Sequence, residues 1–134
     1  MAELLRKRIL LVDDEIGIRL TLPHILSKHG FDVTSVASLE DAVAEIQTDS
    51  FDALLSDLNL PAANQGFRVI EEMRRFQPHC VNFILTGYPA EATATQATHH
   101  QVAHYFIKPV DIAELVGTIN KKLVENPLLK DKIE

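Results

Sequence analysis

Four short, almost unbroken apolar runs recur along this chain: RILLVD (8–13), FDALLSD (51–57), VNFILT (81–86) and AHYFIK (103–108). Each is too short for a helix and too continuous for a strand with one wet face, so each is predicted to be a strand buried on both faces. A fifth run, DVTSVA (32–37), alternates polar and apolar residues and is expected at a sheet edge. Helical spacing links Leu39, Ala42, Val43 and Ile46, then Ile70, Met73 and Phe76, then Ile112, Leu115, Val116, Ile119 and Leu123. Ser38 with Asp41, and Asp111 with Glu114, have the spacing of N-terminal caps, and Gly30 closes the first helix. Pro23 falls inside that helix and is expected to make it irregular. Alternating strands and helices call for an α/β fold, a parallel five-stranded sheet covered by helices on both faces. With an edge strand second in sequence, the simplest right-handed winding is the three-layer, flavodoxin-like (βα)5 arrangement in order 2-1-3-4-5.

In that order ligands bind beyond the carboxyl ends of the strands, near the switch between strands 1 and 3. Those ends carry the chemistry. Strand 1 delivers Asp13 and Asp14, strand 3 Asp57, strand 4 Thr86 and strand 5 Lys108. Singly, each has an ordinary reading: Asp14 as a helix N-cap, Asp57 as an exposed strand end, Thr86 as a strand former, Lys108 as surface. Jointly they crowd carboxylates at one mouth, where two charges about 4 Å apart repel by roughly 4 kcal/mol at an effective dielectric near 20. A hard cation offsets that cost, and an oxygen-only set that still leaves room for water suits Mg²⁺. Such a site also accepts a phosphoryl group, with Lys108 neutralising its charge and Thr86 donating to one of its oxygens. Asp57, alone on its strand, is the natural carboxylate nucleophile, and Asp13 and Asp14 are better placed to hold metal.

Composition narrows the field. The 134 residues fit one domain, and the net charge of −6 argues against direct nucleic-acid binding. The RKR at 6–8 reads as a solvated flank, and the six histidines, including His99 and His100, as scattered surface residues. The lone Cys80 cannot form an internal disulfide and is expected to be buried in a reducing cytoplasm. No membrane span or signal peptide is expected, and glycine-rich phosphate loops, HExxH and GxSxG are absent from the sequence.

The motifs LLVDDE, SDLNLP, ILTGYP and YFIKP, in this order and at these separations over residues 8–123, resemble the receiver domain of bacterial two-component response regulators. The resemblance implies that Asp57 accepts a phosphoryl group from a sensor histidine kinase or phosphotransfer protein. It implies Mg²⁺ held by Asp14, Asp57 and the backbone carbonyl of Asn59, with Asp13 assisting through water. Thr86 and Tyr105 would be the switch pair, and Lys108–Pro109 matches a peptide bond usually cis in the family. The chain would then be a phosphoacceptor signalling domain rather than an enzyme. Output to an output domain or target protein, or a homodimer, would run through the face made by the helix expected in PAEATATQATHHQ (89–101), strand 5 and the last helix. Residues 1–125 would form the receiver and residues 126–134 a tail or the start of a linker. Three features depart from the common pattern: the loop after Asp57 is one residue longer before Gly66, Arg68 stands where an acid is frequent, and bulky Tyr88 is placed to shield the phosphoryl group.

Two other readings share parts of this pattern. A phosphohydrolase of the haloacid-dehalogenase type also uses a strand-end Asp and Mg²⁺, but its acid two residues on is here Asn59, and a cap domain does not fit. A flavin-binding module shares the strand order, but acids at the strand ends would repel its phosphate.

Overall fold

The structure is a computed structural model, and it describes residues 6–60, 65–87 and 102–125. Its elements run β1 (Lys7–Val12), α1 (Ile16–Lys28), β2 (Phe31–Val36), α2 (Leu39–Thr48), β3 (Ala53–Asp57), α3 (Gln65–Phe76), β4 (Val81–Thr86), β5 (His104–Ile107) and α4 (Ile112–Glu125). The five strands form one sheet in the order β2-β1-β3-β4-β5, every neighbouring pair parallel, as the sequence predicts. The helix expected at residues 89–101 lies outside the described residues, as does the loop at residues 61–64.

The alternation of side chains along the strands divides the core into two layers. Leu10, Val12, Leu54 and Ile84 face α2 and α3, where Ala42, Ile46, Val69, Ile70 and Met73 meet them. Ile9, Leu11, Leu55, Phe83, Leu85 and Phe106 face the opposite way, onto Leu22 and Leu26 of α1 and Leu115, Ile119 and Leu123 of α4. All of β3 is buried, which explains why its sequence shows no alternation. Cys80 is buried, as expected, and burial raises its thiol pKa, which suits a packing role.

The predicted punctuation appears in place. Ser38 Oγ accepts from Asp41 N at 3.2 Å, Asp111 Oδ1 accepts from Glu114 N at 3.0 Å, and Gly30 takes a φ of 93° after α1. Helix α1 runs from Ile16 to Lys28 with Pro23 inside it, and Leu22 and Leu26 on either side of the proline are both anchored in the core. One expectation needs correction. Arg8 is no solvated flank: its guanidinium forks onto Asp49 at 2.6 and 2.9 Å and lies over the Phe51 ring. That clamp ties β1 to the end of α2. Gln77 adds a buried one, donating from Nε2 to Ile46 O at 2.9 Å and Asp49 O at 2.6 Å while its Oε1 accepts from Phe51 N at 2.8 Å.

Candidate functional site

Each strand end is fixed by backbone bonds that aim its last side chains at one mouth. Asp13 N donates to Val36 O at 3.1 Å as β1 finishes, and Asp13 Oδ1 then accepts from Glu15 N at 2.9 Å, a side-chain turn that leads into α1. Past β3, Leu58 N donates to Leu85 O at 3.2 Å. Lys108 N donates to Thr86 O at 2.8 Å and so ties the ends of β4 and β5 together. The Lys108–Pro109 peptide bond that follows is cis.

Side chains far apart in sequence meet there. Asp13, Asp14 and Asp57 each offer a carboxylate oxygen, and these atoms lie within 4.8 Å of one another. Asp13 and Asp57 are buried and Asp14 is exposed. Lys108 Nζ lies 3.0 Å from Asp13 Oδ2, 3.1 Å from Glu15 Oε1 and 3.4 Å from Asp57 Oδ2. Asn59 donates its backbone N–H to Asp57 Oδ1 at 3.4 Å. The mouth opens into a cavity of about 760 Å³, polar at Asp14, Asp57 and Lys108 and apolar between Ile18, Ile25 and Ile112.

Electrostatics follow from this burial. Asp57 is pushed up to about 6, first by burial and then by the Asp13 charge, against the pull of Lys108. Burial likewise raises Asp13 despite its hydrogen bond from Glu15 and its ion pair. Burial alone would lower Lys108, but Asp13, Asp57 and Glu15 outweigh it and hold the ammonium above its ordinary value. Asp13 Oδ2 is also cut off from solvent, with Lys108 Nζ 3.0 Å away. Three clustered carboxylates that share a single ammonium, and so remain short of positive charge, fit a divalent cation with oxygen ligands.

The other predicted residues sit as follows. Thr86 is buried at the end of β4, two residues beyond Ile84, whose register partner is Tyr105. Thr86 and Tyr105 therefore share one face of the sheet, Tyr105 one side-chain step back from the mouth. Its ring is half-buried, and its hydroxyl is already sheltered from solvent without a hydrogen-bond partner among the described residues.

Sequence reading alone missed two contributors. Glu15 reaches Lys108, and Gly66 lets α3 press against the end of β3. A Cβ on Gly66 would collide with the Asp57 carbonyl oxygen and come within 2.8 Å of Leu58 Cα, both backbone atoms that cannot swing aside. Gly66→Ala is therefore expected to displace the end of β3 and cost about 2 kcal/mol or more of stability, read by urea denaturation. An unchanged midpoint would show that the approach relaxes freely.

Comparison with known proteins agrees with this geometry. The sequence model of the family described as response regulator receiver domain matches residues 9–120. The photosynthetic apparatus regulatory protein RegA of Cereibacter sphaeroides is 31% identical over 133 residues, covering 95% of this chain and 72% of RegA. The transcriptional regulatory protein ZraR of Salmonella typhimurium is 30% identical over 115 residues, 86% of this chain but 26% of ZraR. The chain thus spans about a quarter of the length of the first curated relatives it matches. Among solved structures, a CheY-like receiver domain from Methanospirillum hungatei superposes with a TM-score of 0.83 at 29% identity, covering 90% of this chain and 96% of that one. The receiver domain of a sensor histidine kinase from Pseudomonas aeruginosa, with magnesium coordinated in its active-site cleft, gives 0.77 at 25% identity over 88% of this chain and 98% of that one.

A parallel α/β sheet with an acidic mouth at its switch point is thereby placed among signalling domains that accept phosphoryl groups. The chain belongs to the response regulator receiver domain family. Nothing in these likenesses supports the phosphohydrolase alternative. Among the described residues no helix is long and apolar enough to cross a membrane.

Proposed function

We propose that Asp57 is the phosphoacceptor and that the site works with Mg²⁺. The observation that carries this reading is the meeting of Asp13, Asp14 and Asp57 within 4.8 Å, with Lys108 Nζ 3.4 Å from Asp57 Oδ2. Asp14, Asp57 and the Asn59 carbonyl would hold the cation, with Asp13 behind them. The metal would neutralise charge on the transferring phosphoryl group. An Asp57 oxygen attacks phosphorus in line, the bond from phosphorus to the donor atom breaks and the donor leaves with that electron pair, while Lys108 moves onto a phosphoryl oxygen and Thr86 donates its hydroxyl to another. A phosphohistidine of a sensor kinase or phosphotransfer protein is the donor we infer, and acetyl phosphate is its small-molecule substitute. With acetyl phosphate and Mg²⁺ the intact mass is expected to rise by one phosphate; an Asp57→Ala chain that still gained it would overturn the assignment.

We infer further that Thr86 and Tyr105 form the switch. Their common face supports this, because movement of Thr86 toward the phosphoryl group would leave space that the Tyr105 ring can enter. Output would then pass through β5, α4 and residues 89–101 to a target, an output domain or a second copy. Beryllofluoride with Mg²⁺ is expected to change amide exchange around Tyr105; no change there would remove the switch while leaving the phosphoacceptor in place.

A further inference from the structure

The third acid of LLVDDE has no part in the metal cluster, and its position gives it another role. Glu15 is the N-cap residue of α1, yet its side chain makes no cap hydrogen bond. Ser, Thr, Asp or Asn usually fills that position and bonds back to the helix. Here the carboxylate instead reaches Lys108, its Oε1 3.1 Å from Nζ, closer than the 3.4 Å between Nζ and Asp57 Oδ2. Glu15 is exposed at the lip of the cavity, where the side chain is 59% accessible, whereas Asp13 is fully buried beneath it. One ammonium is thus shared between two acids inside and one at the entrance.

We propose that Glu15 is a positioning residue that holds Lys108 at the mouth and discriminates among phosphodonors by their charge. The inference rests on the phosphoacceptor reading of Asp57. For transfer, Lys108 must leave Glu15 for the incoming phosphoryl oxygen, and the Glu15 carboxylate repels a donor in proportion to the negative charge the donor carries. Acetyl phosphate arrives as a dianion; an Asp57 oxygen attacks phosphorus, the P–O bond breaks, and acetate leaves with its electron pair. Phosphoramidate arrives with one net negative charge because its nitrogen is protonated; the P–N bond breaks and ammonia leaves with that pair. Both transfers use the same Asp57 and Lys108. Only the charge that passes Glu15 differs.

The test compares phosphorylation rates of wild type, Glu15→Gln and Glu15→Asp with both donors, at Mg²⁺ saturating each chain and at low and high salt. Glu15→Gln is expected to speed acetyl phosphate about fivefold and phosphoramidate about twofold at low salt, the size of effect an exposed charge pair produces. High salt is expected to shrink the difference, because an exposed charge is screened. Glu15→Asp, which keeps the charge, is expected to retain most of the wild-type donor preference. Equal acceleration of both donors, no acceleration, or a donor preference in Glu15→Asp matching that of Glu15→Gln would overturn the proposal. A wild type phosphorylated normally beside an unresponsive Glu15→Gln would sink this inference alone, whereas a wild type that takes phosphate from neither donor would sink the phosphoacceptor reading with it.

Discussion

Asp57→Asn is expected to raise the stability of the metal-free protein at pH 7.5. The sign comes from linkage. Asp57 in the fold is pushed up to about 6, above its ordinary value of 3.8, so the folded chain holds that proton more tightly than the unfolded one. The stability this group contributes is present below about pH 4, declines as pH rises toward 6, and is lost above that. At pH 7.5 the wild type therefore carries an ionised carboxylate that burial and Asp13 both oppose. Asparagine is close in shape, keeps an acceptor for Asn59 N, and removes the charge. The gain is expected to be on the order of 2 kcal/mol, several degrees in melting temperature for a domain of this size. Near pH 4 the two chains should melt together, and Mg²⁺ should stabilise the wild type at pH 7.5 far more than the variant. Thermal melts in EDTA at both pH values check this; a variant that melts below the wild type at pH 7.5 would mean that Lys108 fully compensates the buried charge.

How much of this was legible in the sequence depends on the range of the interaction. Strand ends are local signals, so Asp13, Asp57, Thr86 and Lys108 could be placed at one mouth once the strand order followed from the edge character of residues 32–37. Caps are local too, and Ser38, Asp111 and Gly30 act as their neighbours suggest. Contacts set by tertiary packing left no such trace. Arg8 meets Asp49 across 41 positions, and a basic tripeptide looks the same whether it is solvated or clamped. The missing N–H of Pro23 is a local cost that the sequence displays, whereas the burial of Leu22 and Leu26 on either side of it is set by tertiary packing. Gly66 is one glycine in a loop until the return of α3 onto the Asp57 carbonyl shows why it has no side chain. The Tyr105 ring could be assigned to strand 5, but not the sheltering of its hydroxyl, which depends on everything packed over that face.

Lys108→Met is expected to cause a large loss of stability at pH 7.5 without metal, in contrast to the gain from Asp57→Asn. The lysine side chain is 15% exposed and lies 3.0 Å from Asp13 Oδ2, which is fully buried. Removing one partner of a buried pair leaves the other charge uncompensated, which typically costs about 3–5 kcal/mol. Methionine preserves the aliphatic packing of the stem, so the loss can be assigned to charge. Two controls separate this from ordinary misfolding. Mg²⁺ should restore much of the lost stability, because the cation would neutralise the same carboxylates. Lowering the pH through 6 should also narrow the gap, since Asp57 takes up a proton and one of the repelling charges disappears. The double variant gives the sharpest reading. Asp57 and Lys108 share one ion cluster, so their effects should not add: Asp57→Asn should stabilise the Lys108→Met chain more than it stabilises the wild type, because no cation then moderates the Asp13–Asp57 repulsion. Strict additivity in urea denaturation would show that the two side chains do not sense each other across their 3.4 Å separation, and the cluster would then have to be regarded as independent pairs.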